Sequence, residues 1–332
     1  MDANQTQALF FNHIKSKIPS HLSFVDEIAE LLNISNDSAY RRIRGEKPIG
    51  LDEMQVLCNA YHISLDQVLQ LQTNTFIFSG KFLDPYAFGL NQYLQFVQNS
   101  LESFKSMQNP HYYMNVKDIP HFNFMPFPEL CAFKFFFWKR TVIGYPEIAK
   151  QQFNGIEDDL ETLELAKKII ELYTQISSTE IWIEESIMCT IRQVEFYKES
   201  NIFTDNHIVL KIYAQLEELL NHMEMQAEIG KKFSYDQSPA PNAASYDLYI
   251  NEYLLGDNTV YVQGTGRQIT FLNHSGLNFI STQDTKFCDY TFKKLQNIIR
   301  KSTHVSLVGE KERSVFFNTL REKIHKRMKN IN

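Results

Sequence analysis

The chain is poor in the residues that punctuate loops and line phosphate cradles, with 12 glycines and 10 prolines in 332 residues. That scarcity disfavours Gly-rich cofactor folds and favours helices. The 4 cysteines, Cys58, Cys131, Cys189 and Cys288, lie too far apart for a CxxC pair or a Cys/His set at zinc spacing. A membrane-spanning helix needs about 20 apolar residues. The most apolar window, Cys131 to Trp138, is interrupted by Lys134 and followed by Lys139 and Arg140. The opening MDANQTQALFF lacks a basic stretch followed by an apolar one, so no leader is expected. These absences lead to the expectation of a cytoplasmic protein with reduced thiols, no membrane partner, no metal and no cofactor.

Against that background, hydrophobic residues make up 43% and charged residues 22%, enough apolar mass for a sizeable core. With 26 Phe and 16 Tyr, ring packing should dominate it. The length fits two or three domains at about 150 residues each. Charge is uneven. The formal net charge of −6 divides into −3 over residues 1–70, −11 over 71–289 and +8 over 290–332. A basic terminus on an acidic molecule can face a polyanion, a membrane or an acidic surface of the chain itself, or it can simply be solvated.

Local patterning predicts a mainly α protein in three parts. Residues 1–72 read as five short helices: Gln5–Lys17, a second that Ser23 can cap, a third from Ser35 to Arg44 ended by Gly45, Leu51–Tyr61, and Leu65–Leu71 behind Ser64. Residues 73–233 read as a helical regulatory or oligomerisation region, with helical periodicity at about 84–107, 128–140, 157–176, 179–200 and 204–229 and an irregular piece at 108–127. SYDQSPAPNAAS (residues 234–245) reads as a linker. Residues 246–332 then read as a small α/β unit with an antiparallel sheet and a basic C-terminal helix. There, Leu248–Leu255 and Val260–Val262 are expected to form a hairpin about Gly256-Asp257-Asn258, followed by strands at Ile269–Leu272 and Leu277–Ser281.

The segment Val25–Gly45, VDEIAELLNISNDSAYRRIRG, resembles the helix-turn-helix of the lambda-repressor-like (XRE) family. Ala29 stands where that family keeps a small residue, Asn33 at the turn, Ile34 after it, and Ala39 and Ile43 on the buried face of the second helix. The following LDEMQVLCNAYHISLDQVL resembles the family's two closing helices, and the likeness covers about a fifth of the chain. Two positions depart from the family pattern. Asn33 replaces the usual Gly and must adopt a left-handed backbone, and Arg42 stands where many members are apolar.

The resemblance implies a DNA-binding domain whose second helix enters the major groove of double-stranded DNA. It makes Asn36, Asp37, Ser38 and Arg41 the base-facing candidates, with Tyr40 against sugar or a thymine methyl, and Arg44 and Lys47 on phosphate. The implied protein is a sequence-specific transcriptional regulator, expected as a homodimer, with the C-terminal region available to an unknown small-molecule or protein effector. The alternative is a protein-interaction scaffold that keeps the helical module without reading DNA.

Beyond residue 72 the features are less specific. Val209, Ile212, Leu216, Leu219 and Met223 offer either a short dimer seam or ordinary core. The aromatic run from Phe122 to Trp138 offers either an apolar ligand pocket or core. Gly264-Thr265-Gly266 between two strand-like runs reads as a hairpin turn, and the histidines are scattered, so no enzyme is expected. In the terminal helix Val315, Phe316, Leu320 and Ile324 form the expected apolar stripe.

Overall fold

The computed structural model describes residues 3–15, 18, 22–61, 63–65, 68, 75–157, 159–253 and 258–331. The chain divides into two units, Met1–Ile77 and Phe78–Asn332.

The first unit contains α1 (Ala3–Lys15), α2 (Phe24–Leu32), α3 (Asn36–Ile43) and α4 (Leu51–Tyr61). Ser23 sits at the start of α2 but its side chain makes no cap bond; Asp26 and Glu27 in the first turn supply favourable charge there instead. At the other end Asn33 is left-handed (φ 52°). Its N–H donates to Glu30 O and the Ile34 N–H donates to Ala29 O, closing the helix by reciprocal terminal bonds. The Ser35 hydroxyl accepts the Ser38 N–H (3.3 Å) and opens α3 only two residues later. Gly45 (φ 77°) closes α3 in the same manner, with Gly45 N–H on Arg42 O and Glu46 N–H on Arg41 O. Ala29 and Ala39 are both buried in a core with Phe10, Phe11, Ile14, Ile28 and Leu57, and their small side chains permit the close approach of α2 and α3. The fifth helix expected at Leu65–Leu71 falls largely outside the described residues.

The second unit does not separate at the expected linker. One sheet of order β1-β7-β6-β5-β2-β3-β4-β8 runs through it. Its elements in chain order are β1 (Ser79–Gly80), α5 (Leu90–Lys105), β2 (His111–Val116), α6 (His121–Phe124), α7 (Pro128–Phe137), α8 (Leu160–Tyr173), β3 (Ser177–Trp182), α9 (Met188–Glu199), α10 (Asn206–Ile229), β4 (Tyr246–Ile250), β5 (Thr259–Gly264), β6 (Arg267–Ser275), β7 (Asn278–Thr282), α11 (Thr285–Ile299), β8 (Thr303–His304) and α12 (Glu310–Met328). Strands β2, β3 and β4 are parallel, and the remaining pairings are antiparallel.

Three expectations are therefore corrected. The stretch 73–233 is not purely helical, because it supplies β2 and β3, two central strands. Both are largely buried, and a strand covered on both faces loses the alternation by which a strand is recognised. The sheet at 246–332 is not a separate small unit, since β4 and β5 take β3 and β2 as neighbours. The expected 248–262 hairpin does not form, because β4 pairs with β3 and β8 while β5 pairs with β2 and β6. The turn at Thr265-Gly266 does join β5 to β6 as expected.

Side chains of one strand parity, including Tyr112, Met114, Trp182 and Leu248, enter the main core with α5, α7, α8, α10 and α12. The opposite face, with Ile181 and Tyr261, is covered by Cys288, Leu295 and Ile298 of α11. Val209, Ile212, Leu216, Leu219 and Met223 of α10 are all buried in the main core, so they form no dimer seam. The terminal helix α12 turns Phe316, Phe317, Leu320 and Ile324 into that core while Val315 is exposed. Its basic residues meet the acidic middle of the chain: Arg321 with Glu224, Lys323 with Glu184 (3.0 Å), His325 with Glu217 (2.9 Å) and Arg327 with Glu195 (3.1 Å). No described helix is long and apolar enough to cross a membrane.

At the centre of the sheet Glu180 is 0% exposed. Tyr173 Oη (2.6 Å), Trp182 Nε1 (2.8 Å) and Tyr246 Oη (3.2 Å) all donate to its carboxylate. Nearby, buried Lys232 donates to Tyr173 O (3.2 Å) and Ile176 O (2.8 Å), its ammonium 3.3 Å from the Tyr173 ring centroid. Burial lowers the Lys232 pKa, and the Glu180 charge opposes that shift. Replacing Glu180 by Leu leaves three donors and a buried ammonium uncompensated, with an expected loss of about 3–5 kcal/mol in urea unfolding followed by tryptophan fluorescence.

Burial also pushes His111 and His121 down to about 4. A base whose folded pKa lies below its unfolded value takes up protons preferentially when unfolded. Its stabilising effect is complete above the ordinary value of 6.5 and declines as pH falls from there towards 4. The thermal midpoint of the second unit should fall across that window, and a His111→Phe/His121→Phe variant that folds should show a shallower slope.

Candidate nucleic-acid interface

At about 3.6 residues per turn, an eight-residue helix separates its side chains into distinct stripes. In α3, Ala39 and Arg42 are buried and Ile43 is half-buried, whereas Asn36, Asp37, Tyr40, Arg41 and Arg44 at its end are exposed. Positions 36, 40 and 44 follow one another up the helix, with 37 and 41 beside them, so the five form one strip facing away from the core.

Two internal clamps hold this strip. Arg42, 5% exposed, turns inward and makes a two-pronged pair with Glu53 of α4, Nη2 to Oε1 at 2.6 Å and Nε to Oε2 at 2.9 Å. Its Nη1 donates to Ser38 O (3.1 Å). Glu53 also accepts the Gly50 N–H (3.1 Å) at the entry to α4. The Arg42 hydrogen bond, the largest effect on this group, holds the Glu53 carboxyl below its ordinary range. The second clamp is Gln7 of α1. Its Nε2 donates to Arg42 O (2.7 Å) and Lys47 O (2.8 Å), and its Oε1 accepts the Ile49 N–H (3.1 Å). One side chain thus satisfies three backbone groups in and after the last turn of α3.

Asn36 donates through Nδ2 to Asp26 of α2 (2.7 Å), tying the two helices together. This leaves its carbonyl and one N–H open, the pair needed for a bidentate contact with adenine. Asp37 is exposed in the first turn, where its charge favours the helix dipole. Ser38 departs from the expectation, being half-buried on the flank shared with Arg42, so it lies off the exposed strip. Arg44 packs over the Tyr40 ring (4.4 Å to its centroid) and donates to Tyr40 Oη (3.1 Å). It also has Glu46 at 3.8 Å. The Arg41 side chain is exposed and makes no hydrogen bond or ion pair among the described residues. Lys47 follows α3, exposed, with its backbone N–H on Arg41 O (3.1 Å).

Of the four basic residues between 41 and 47, the fold therefore employs Arg42 internally and leaves Arg41, Arg44 and Lys47 outward. Gln7 and the pairing of Arg42 with Glu53 were missed by sequence reasoning. The helical phase of Arg42, in step with Ala39 and Ile43, was the available signal for the latter; nothing local marks Gln7, whose partners lie 35 to 42 residues away. Among the described residues no group of three or more His, Cys, Asp or Glu side chains could hold a metal ion. No family model, curated protein or solved structure matches the chain.

Breaking one half of a largely buried pair strands the other charge, whereas replacing both halves with apolar groups does not. Arg42→Met should cost about 3 kcal/mol in unfolding free energy, and the Arg42→Met/Glu53→Met double variant should recover most of it. Because the Glu53 pKa is lowered on folding, the pair's contribution is present above the ordinary Glu value of 4.5 and lost as pH falls through the folded value.

Proposed function

We propose that the protein binds double-stranded DNA sequence-specifically through α3 and acts as a transcriptional regulator, residues 24–43 serving as a helix-turn-helix. The observation that carries this reading is the single outward strip Asn36, Asp37, Tyr40, Arg41 and Arg44 on a short helix that is braced from behind. Eight residues span about 12 Å, comparable with the width of the major groove. Two of the five N–H donors of the Arg41 guanidinium match the N7 and O6 acceptors of guanine. Arg44 and Lys47, at the helix end and beyond, suit phosphate, which fixes register without reading sequence. The likeness of Val25–Gly45 to lambda-repressor-like proteins supports the same reading.

The −3 balance over residues 1–70 favours a second reading, a scaffold in which the strip docks a protein, because phosphate binding needs positive charge. Selection from random duplexes by the full chain at low salt separates the two. A DNA reader enriches a defined sequence, and the number of half-sites in it reports whether the protein binds as a dimer. Arg41→Ala should relax one position by about 1–3 kcal/mol. Arg44→Ala with Lys47→Ala should weaken binding to all sequences alike and reduce the salt slope by about 2. No enrichment and no low-salt binding by the folded full chain would reject DNA binding in favour of the scaffold.

A further inference from the structure

The second unit holds a cleft of about 890 Å³ at the carboxyl end of β2, bordered by α6, α7, α9 and the starts of β5 and β7. Clefts of this size take small molecules, and the carboxyl ends of parallel strands are where sheets of this kind receive them. One side of it is apolar and aromatic, with Met114, Phe122, Phe124, Phe137, Trp138 and Leu277, and polar side chains line the rest. The aromatic run seen in the sequence is thus mostly core, and this cleft takes only part of it.

A buried cation stands in that apolar wall. Lys134 of α7 is 1% exposed. Its ammonium donates to two neutral acceptors, Thr190 Oγ1 (3.1 Å) and Gln193 Oε1 (3.0 Å). Asp118 makes a long ion pair with it at 3.8 Å, beyond hydrogen-bond reach. An ammonium has three donors, so one is left open. Two further groups on the same cleft lack partners. His121 Nε2 is buried with no hydrogen bond, and the exposed side chain of Arg192 makes no hydrogen bond or ion pair among the described residues. Asp118 and Glu185 also line the cleft, but Asp118 already accepts the Ile119 N–H (2.9 Å). Cys189, an exposed residue at the same wall, has its thiol pushed up to about 11, first by loss of water around the sulfur and then by the Asp118 charge, which disfavours the thiolate. These groups suit binding rather than covalent chemistry.

We propose that this cleft binds a small monocarboxylic acid with an apolar tail or ring, the carboxylate engaging Lys134 and Arg192 and the tail lying along the Phe122–Trp138 wall. An anionic oxygen accepts the open donor of Lys134 and adds to Asp118 in meeting its buried charge, while the apolar part of the lining receives the remainder. The inference does not depend on DNA binding.

Trp138 lines the cleft and Trp182, the other of the chain's 2 tryptophans, does not, so tryptophan emission of the full chain can report occupancy. The titrants are decanoate, 1-decanol and decylamine, with Trp138→Phe to assign the signal. Decanoate should give a saturable change that Trp138→Phe removes, and it should bind more tightly than decanol or decylamine. Lys134→Met and Arg192→Ala should each weaken decanoate about tenfold or more, the weight of one charge-assisted hydrogen bond, without altering decanol. Equal binding of decanol or decylamine by the wild type overturns the proposal. So does unchanged decanoate affinity in both variants, or no saturable change up to about 1 mM, the weak limit for a specific small ligand. If Lys134→Met does not fold, Arg192→Ala, at an exposed position, decides the matter alone.

Discussion

A charge taken out of water must be met by another charge or by a full set of hydrogen bonds, and each unit is arranged around one case of that constraint. In the first, Arg42 is drawn inward to Glu53, which ties α3 to α4 and fixes the rotation of α3 about its own axis. That rotation decides which side chains face out. In the second, Glu180 sits in the middle strand of the parallel trio, and its three donors come from a helix end, from its own strand and from the neighbouring strand. The carboxylate therefore holds β3, β4 and the end of α8 in one register.

The electrostatic asymmetry of the chain resolves in the same terms. The acidic middle and the basic terminus meet along one helix, where α12 lays Arg321, Lys323, His325 and Arg327 against four glutamates of the preceding chain. These pairs are partly exposed and each adds little alone. The burial of Phe316, Phe317, Leu320 and Ile324 holds the helix in place, and the charges select its orientation. At α3 the situation is reversed: Arg41, Arg44 and Lys47 keep their charge facing outward despite the acidic balance around them.

Much of the first unit was legible because its signals are local. Asn33 at a left-handed turn, Ser35 as a cap and Gly45 as a stop each act within a few residues of themselves, and all three hold. Ser23 and Ser38 show the limit, since a cap needs a bond that its neighbours permit, and a helical position faces out only if its flank is not claimed. Beyond residue 78 the helices carried their period, yet β2 and β3 were invisible. Six-residue strands covered on both faces have no polar face to alternate with, and a Glu at the centre of one argues against a buried strand unless its donors are known.

Local signals set the turn between α2 and α3, the end of α3 at Gly45, the bounds of α4, the aromatic character of the core and the opposition of an acidic middle to a basic end, because propensity, capping and composition act over short distances. Only the closed fold makes Arg42 a brace and turns Arg41 outward, lets Gln7 span three backbone groups, joins strands from Ser79 to His304 in one sheet and sets Lys134 in the wall of a cleft. Each of those depends on partners tens of residues away, and only closure of the chain brings them within hydrogen-bond or ion-pair distance.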